Sequence, residues 1–474
     1  MLWAAIHLPQ RALDAVLRRQ PEPEAPLALV EGPPQRRQVL LANAAAREAG
    51  VQAGQALTAA LALCPSLAVA GHDAAEADAL LELACAWAYG YSGQVCSEPA
   101  LDTVWLEVGG SLGLFGPWPR FERLLRDDLQ ALGLEHRIGL APTPLAALCL
   151  ARHRDGLAVT AIEPLRQLLD HLPIATLPLQ DATREALAAL GVRRLRQLLA
   201  LPRAGLRRRF GAELGQWLDR LTGAAPDPRP AYRPPERFER RFEFDDEIRY
   251  HTGLLFPLRR LLTDLAGFLA GRDGGVQRFH LRFEHELQAP SQLQVGSAVP
   301  ERDPARLFEL ARLVLERETL PAPVRALSVC AEELPPFVPP ATDLFDTRPA
   351  GALDWPALQA RLQARLDAEA VHRYVLQPDP RPERAMRRVR EDVPGEARIA
   401  TPLPRPTWLL ARPIPLRGPA PTVLAGPERI ESGWWDGEDL RRDYYVVRTG
   451  NGQRAWVFCP AGERGPWMLH GWFA

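Results

Sequence analysis

Between Leu190 and Phe210 the chain reads LGVRRLRQLLALPRAGLRRRF, which carries Arg193, Arg194, Arg196, Arg203, Arg207, Arg208 and Arg209 without one acid. Guanidinium groups at this density neutralise phosphates, so the segment suits salt-dependent, sequence-independent binding of a nucleic-acid backbone. Backbone amides at Gly191 and Gly211 are expected to approach phosphates beside them. A run of charge is more often merely a solvated face. A second basic set alternates with apolar residues: Arg278, His280 and Arg282 stand against Phe279, Leu281 and Phe283, which puts bases on one face of a strand and a core on the other. Four carboxylates, Asp14, Glu98, Asp102 and Glu107, have the chemistry to hold a divalent cation, although carboxylates on strands and loops are ordinarily solvated.

Other chemistries are excluded by residue type. The chain has no lysine, so all 57 basic residues are arginine, and neither a Schiff-base lysine nor a Walker-A lysine exists. A net charge of −1 removes a globally basic nucleic-acid binder but leaves charge free to segregate between domains. The six cysteines are scattered among apolar neighbours with no CxxC pair, the usage of buried thiols in a reducing cytosol. No apolar run approaches the ~18 residues of a membrane span, so a cytoplasmic protein without a membrane partner is expected. At 474 residues, with 47% hydrophobic and 24% charged residues, the chain has the composition of a folded protein of about three domains.

Elements must hold these residues in place, and proline marks where they stop. Before Thr222 the pattern alternates short apolar strands (Leu2 to Leu8, Val104 to Val108, His136 to Leu140) with helices (Asn43 to Gly50, Phe121 to Leu132, and one reaching Ala151), and from Asp181 to Gly223 it is helical with glycines at the breaks. Beyond TGAAPDPRPAYRPPE, Phe238 to Phe244 and Val276 to Leu287 read as strands, with helices at Gly253 to Leu269 and Pro304 to Arg317. The stretch from about Leu376 to Pro427 is rich in proline and arginine, lacks a sustained apolar period and reads mostly as linker. In the last 47 residues, strands at Tyr444 to Arg448 and Arg454 to Cys459 meet across Thr449-Gly450-Asn451-Gly452, a hairpin turn. The same segment holds Trp434, Trp435, Trp456, Trp467 and Trp472. So small a piece either packs these rings on a partner or forms a tight β unit of its own.

Several short patterns occur in an order that resembles the Y-family of translesion DNA polymerases, and within it the ImuB branch, over roughly residues 1–335. The family's first-strand motif, of the form HVDMDCFFA, matches His7-Leu8-Pro9-Gln10-Arg11-Ala12-Leu13-Asp14-Ala15, so Pro9 and Arg11 stand at its two aspartates and Asp14 at its aromatic steric gate. The family's SLDEAYLDV segment matches Ala100-Leu101-Asp102-Thr103-Val104-Trp105-Leu106-Glu107-Val108, where Asp102 keeps the acid and Thr103 replaces the glutamate. The fingers pattern is similar to the stretch from Ala44 to Gly54 followed by Cys64-Pro65; Arg47 matches a triphosphate-contacting arginine and Ala44 replaces a tyrosine. The palm pattern GVAxNKxLAK is similar to the stretch from Gly139 to Leu148, with Pro144 and Leu148 where lysines are expected. Positions that specify the fold match, and most of those that handle metal and phosphate differ.

The resemblance implies an α+β multidomain protein: palm and fingers at 1–165 (fingers about 11–70), a helical thumb with a helix-hairpin-helix-like turn at 166–223, a linker at 224–236 and a little finger at 237–334. A proline-rich linker with a short helix follows at 335–427, then an aromatic-rich, partner-binding segment at 428–474. It implies catalytic degeneracy at Pro9, Arg11, Asp102 and Thr103, no metal, no other cofactor, and a residual triphosphate contact at Arg47. DNA binding is expected at Arg193, Arg194, Arg196, Arg207, Arg208, Arg209, Arg278 and Arg282. Ala341-Thr342-Asp343-Leu344-Phe345 resembles the sliding-clamp peptide QxDLF with Ala341 in place of glutamine, which makes Asp343, Leu344 and Phe345 a clamp-binding element, or a loop anchoring its Leu-Phe into the little finger. The implied function is a non-enzymatic scaffold for damage-induced translesion synthesis. Its implied partners are primer-template DNA, the replicative clamp, an error-prone C-family polymerase and a RecA-like accessory protein. The alternative is an active lesion-bypass polymerase whose metal site is rebuilt from Asp14, Glu98, Asp102 and Glu107.

Overall fold

The computed structural model describes residues 1–339, 355–366, 370–389, 404–437 and 439–474, which divide into two units, Met1–Arg365 and Leu366–Ala474. The first unit opens with β1 (Trp3–His7), α1 (Arg11–Leu17), β2 (Leu27–Glu31), β3 (Gln38–Ala42), α2 (Ala44–Glu48), α3 (Leu57–Leu63) and β4 (Ala68–Gly71). It continues through α4 (Ala74–Ala88), β5 (Val95–Glu98), β6 (Thr103–Glu107), α5 (Leu112–Phe115), α6 (Trp118–Ala131), β7 (Arg137–Ala141), α7 (Pro144–His153) and β8 (Leu157–Ala158). A five-stranded sheet runs in the order β5, β6, β1, β7, β8, with β1 antiparallel to both neighbours.

Alternation builds two cores on this sheet. Ala4, Ile6, Val104 and Leu106 face Leu80, Leu83, Phe121 and Leu125 of α4 and α6, while Ala5 and Trp105 face α7 and the helices that follow it. Both faces are therefore dry, which is why these short strands read as nearly continuous apolar runs. Gly139 is where β7 and α7 touch: a Cβ there would sit 2.3 Å from the carbonyl oxygen of Ala147. A separate three-stranded sheet, β3, β2, β4, packs α2 and α3 around Val39, Ala46 and Ala60.

Helices α8 (Ile162–Asp170), α9 (Asp181–Ala189), α10 (Leu195–Leu199) and α11 (Arg203–Thr222) follow, the last broken at Gly211 (φ 76°). Then come β9 (Phe238–Ile248), α12 (His251–Gly271), β10 (Val276–Glu284), β11 (Ser291–Glu301), α13 (Pro304–Arg317), β12 (Val324–Ala331) and α14 (Trp355–Leu366). The antiparallel sheet β11, β10, β12, β9 covers α12 and α13 with Phe242, Phe279, Leu281 and Phe283, each buried side chain contributing about 1.5–3 kcal/mol. Gly271 permits α12 to meet α4: its Cβ would lie 2.0 Å from the carbonyl oxygen of Ala86.

In the second unit, β13 (Arg373–Leu376) pairs with β14 (Met386–Val389), and β15 (Trp408–Pro415), β16 (Thr422–Ser432), β17 (Leu440–Arg448), β18 (Arg454–Pro460) and β19 (Met468–Trp472) form a sheet ordered β15, β19, β18, β17, β16. The structure adds to the sequence expectation here: the described residues of the stretch from Leu376 to Pro427, read mostly as linker, include β14, β15 and the start of β16, so the C-terminal sheet starts well before residue 428. The expected hairpin joins β17 to β18, closed by the Thr449 amide on the Gln453 carbonyl at 2.9 Å. Tyr444 and Trp456 are wholly buried and stacked at 4.1 Å, so the unit has its own aromatic core, while Trp434 and Trp435 stay 77% and 59% exposed. Among the described residues, no helix is long and apolar enough to cross a membrane.

Candidate functional site

The carboxylate of Asp102 is set by a local irregularity. Pro99 begins a short 3-10 turn, and Asp102 follows it with φ 48° and ψ 47°, a left-handed conformation that aspartate tolerates better than most residues. The Leu8 amide donates to the Asp102 carbonyl at 2.8 Å, so the end of β1 and the start of β6 are tied together at this point. Arg11, in the first turn of α1, fills the space beside them. Its Nε donates to Asp102 Oδ1 at 2.7 Å, Nη1 to Asp78 Oδ1 at 2.8 Å and to the Ala77 carbonyl at 2.9 Å, and Nη2 to the Pro99 carbonyl at 3.3 Å. Only 9% of the residue is exposed.

Thr103 is fully buried, its hydroxyl donating to the Leu101 carbonyl at 2.6 Å and lying 3.4 Å from His7 Nδ1. His7 is pushed down to about 4, first because burial disfavours the imidazolium and then because the Arg152 guanidinium repels it. The divalent cations that the alternative, an active polymerase, would need do not fit these residues. The one aligned carboxylate is already engaged by a guanidinium, and a divalent ion about 4 Å from that guanidinium is repelled by roughly 8 kcal/mol at an effective dielectric of 20, an upper-end figure.

The four carboxylates of the alternative do not converge. Asp14 Oδ2 accepts from the Glu135 amide at 2.9 Å, Glu98 pairs with Arg229 at 2.9 Å, and Glu107 accepts from the amides of Leu2, Gly109 and Gly110 at 2.9 to 3.1 Å. Among the described residues, no group of three or more His, Cys, Asp or Glu is disposed to hold a metal ion. Pro9 lies in the turn between β1 and α1. Pro144 and Leu148, at the two palm lysine positions, are buried in α7 against the sheet. Arg47 is exposed at the end of α2 and forms no ion pair among the described residues; Asn43 caps that helix by accepting from the Ala46 amide at 3.0 Å.

The arginines expected to meet DNA lie on two surfaces. Arg193, Arg194, Arg196, Arg207, Arg208 and Arg209 are all exposed and free of ion pairs among the described residues, whereas Arg203 pairs with Asp219 at 2.7 Å. The Gly191 amide, expected near a phosphate, instead donates to the Ala188 carbonyl at 2.9 Å, because this glycine (φ 77°) closes α9. On β10, Arg278 and Arg282 are exposed and His280 half-buried, with Phe279, Leu281 and Phe283 inward; Gln292, Gln294 and Gly296 stand beside them on β11. On the same sheet Arg241 is held by Glu243 and Glu284, at 2.6 and 2.9 Å. Asp343, Leu344 and Phe345 lie outside the described residues.

Sequence reasoning missed the partners of Arg11, because Asp78 is 67 residues away and no spacing rule links them. It also missed Arg229, whose guanidinium lies 3.9 Å from the centre of the Trp105 ring while pairing with Asp227 and Glu98.

Residues 12–152 match the impB/mucB/samB family. Over 458 residues the chain is 31% identical to protein ImuB of Caulobacter vibrioides, covering 90% of this chain and all of that protein. It is 27% identical over 305 residues to DNA polymerase IV of Dehalococcoides mccartyi, spanning 62% of this chain and 76% of the polymerase. Among solved structures it is similar to DinB from Sulfolobus solfataricus, at a TM-score of 0.39 and 17% identity over 70% of this chain and 98% of the other. A relative matched along its whole length settles the affiliation: the chain belongs to the ImuB family of Y-family polymerase-like proteins.

Proposed function

We propose that the chain is a non-catalytic Y-family polymerase homologue that holds primer-template DNA and serves as a scaffold for translesion synthesis and mutagenesis after DNA damage, as part of an SOS-type response in the cytoplasm. The observation that carries this reading is the Arg11 guanidinium seated on Asp102. Two-metal nucleotidyl transfer needs carboxylates converging on two cations, and here a fixed monovalent cation on the protein takes that place. The exposed arginines of α10 and α11, with Arg193 and Arg194 before them and Arg278 and Arg282 on β10, supply backbone neutralisation without sequence readout. In this reading the palm and fingers are 1–165, the thumb 166–223 and the little finger 237–334.

The protein partners of the scaffold are the replicative sliding clamp, through Asp343, Leu344 and Phe345, and an error-prone C-family polymerase and a RecA-like accessory protein, through the C-terminal region. In support of the last, Trp434 and Trp435 are presented on a turn fixed by Arg381 and Arg384 on Asp436, so two large apolar rings face outward on a rigid base. Two titrations test the reading. The purified chain should shift primer-template DNA in a salt-dependent way, and Mn²⁺ titrated into it should show no site dependent on Asp102. A stoichiometric Mn²⁺ site lost in Asp102→Ala would contradict it.

A further inference from the structure

At the junction of α1, α4, β9 and α12 lies a cleft of about 390 Å³ whose floor gathers three arginines, Arg18, Arg240 and Arg260, around one carboxylate, Asp264. Arg18 pairs with Asp264, and both side chains are nearly buried, at 7% and 12% exposure. Among the described residues, the Arg240 guanidinium donates only to the Ala79 carbonyl, and that of Arg260 only to the Leu132 carbonyl at 2.6 Å. A guanidinium carries five N–H donors, so each of the three leaves most of its capacity unused. Arg260 Nε is buried with no partner at all among the described residues. Burial lowers the pKa of both Arg240 and Arg260, the latter to about 10, and Arg18 adds to the repulsion on each.

The acids around the rim offset the cluster only in part: Glu76 and Glu82 act on Arg240 through space, and Glu239 in the lining is paired with Arg237 at 3.6 Å. Glu76 is taken by Arg19 at 3.1 Å, Glu243 by Arg241 at 2.6 Å, and Asp73 caps α4. Glu82 is exposed at the edge, and the carboxyl of Asp14, one turn before Arg18, is itself held up to about 7.

We infer that this cleft binds a phosphate-type oxyanion, whose oxygens accept from Arg18, Arg240 and Arg260 and whose charge balances the two guanidinium groups left over by Asp264. The anion is either a free phosphate or pyrophosphate ion or a backbone phosphate of DNA. A free anion would occupy the cleft whether or not the chain holds a primer-template, whereas the backbone-phosphate form rests on the scaffold reading.

The full-length chain in phosphate-free buffer would be titrated calorimetrically with inorganic phosphate and pyrophosphate at constant ionic strength, and by anisotropy with a labelled single-stranded oligonucleotide over a series of salt concentrations. The same would be done with Arg240→Gln/Arg260→Gln and with Asp264→Asn. For a free-anion site, the wild type binds saturably, the double variant binds at least tenfold more weakly, and Asp264→Asn, which removes the competing acid, binds more tightly. For a backbone phosphate, only oligonucleotide affinity falls in the double variant, and its log–log salt slope drops by roughly 1 to 2. Binding of all three probes unchanged in the double variant overturns the inference. If that variant fails to fold, weaker rather than tighter binding of every probe by Asp264→Asn overturns it equally.

Discussion

Replacing Arg11 with methionine keeps an unbranched, flexible side chain, shorter than arginine, and removes its charge and all its donors. The guanidinium is only 10% exposed, but Asp102 and Asp78 are 41% and 55% exposed, so both carboxylates regain water when their partner goes. The 3–5 kcal/mol penalty of a stranded buried charge therefore does not apply in full. The pair with Asp78 is worth about 0.2–1 kcal/mol at that exposure. The pair with Asp102 and the bonds to the Ala77 and Pro99 carbonyls raise the total to about 2–4 kcal/mol, taking about 1.5–3 kcal/mol for each charge-assisted bond before the discount for solvent. Asp102→Ala leaves the guanidinium three acceptors and costs about 1–2 kcal/mol, and Asp78→Ala costs under about 1 kcal/mol. The readout is amide hydrogen exchange at Leu8, whose N–H is bonded to the Asp102 carbonyl; a local probe avoids imposing a two-state scheme on a chain of two units. A loss of 2–4 kcal/mol corresponds to roughly 30- to 1000-fold faster exchange. Exchange within threefold of wild type in Arg11→Met, or a larger effect from Asp78→Ala than from Arg11→Met, would refute the view that this guanidinium holds the site together.

Asp14 is raised from 3.8 to about 7, chiefly by burial. A raised carboxyl contributes stability that is intact below pH 3.8 and lost as pH rises through 7, so Asp14→Asn, which keeps an acceptor for the Glu135 amide, should stabilise the chain by roughly 2–4 kcal/mol at pH 8.5 and by almost nothing at pH 4; denaturant midpoints that shift equally at both pH values contradict this. Gly271→Ala should destabilise by about 1–3 kcal/mol by wedging α12 off α4, whereas Gly215→Ala in α11, with open space around its Cβ, should be neutral or stabilising; melting temperatures decide. Arg207→Gln/Arg208→Gln/Arg209→Gln should weaken duplex binding and reduce its log–log salt slope by about 3, and an unchanged slope would remove these arginines from the interface. Leu344→Ala with Phe345→Ala should abolish clamp binding and leave DNA affinity as it was, measured by surface plasmon resonance on immobilised clamp.

Local signals carried most of the first unit's elements into the sequence. The expected helix from Pro304 to Arg317 forms over the same residues, because Asp303 caps it by accepting from the Arg306 amide at 2.9 Å and Pro304 occupies the first turn. The alternation of Arg278 to Phe283 was legible for the same reason, since one strand carries both faces. The strands between Met386 and Pro427 were not. β15 and β16 are the two edges of their sheet, bury few side chains, and carry Pro413, Pro415 and Pro427, which edge positions tolerate. The replaced carboxylates at Pro9, Arg11 and Thr103 could be read against the family pattern, but the fate of Arg11 depended on Asp78, Ala77 and Pro99, which only the folded chain assembles. The same holds for the cluster of Arg18, Arg240 and Arg260, drawn from three distant elements.

Primer extension on undamaged and lesion-bearing templates, with purified chain, Mg²⁺ or Mn²⁺ and all four dNTPs, beside a gel shift on the same DNA, separates a scaffold from a polymerase. A scaffold shifts the primer-template and adds no nucleotide with either metal. Extension that disappears in Asp102→Ala would mean that a working metal site forms despite Pro9, Arg11 and Thr103, and would contradict the scaffold reading.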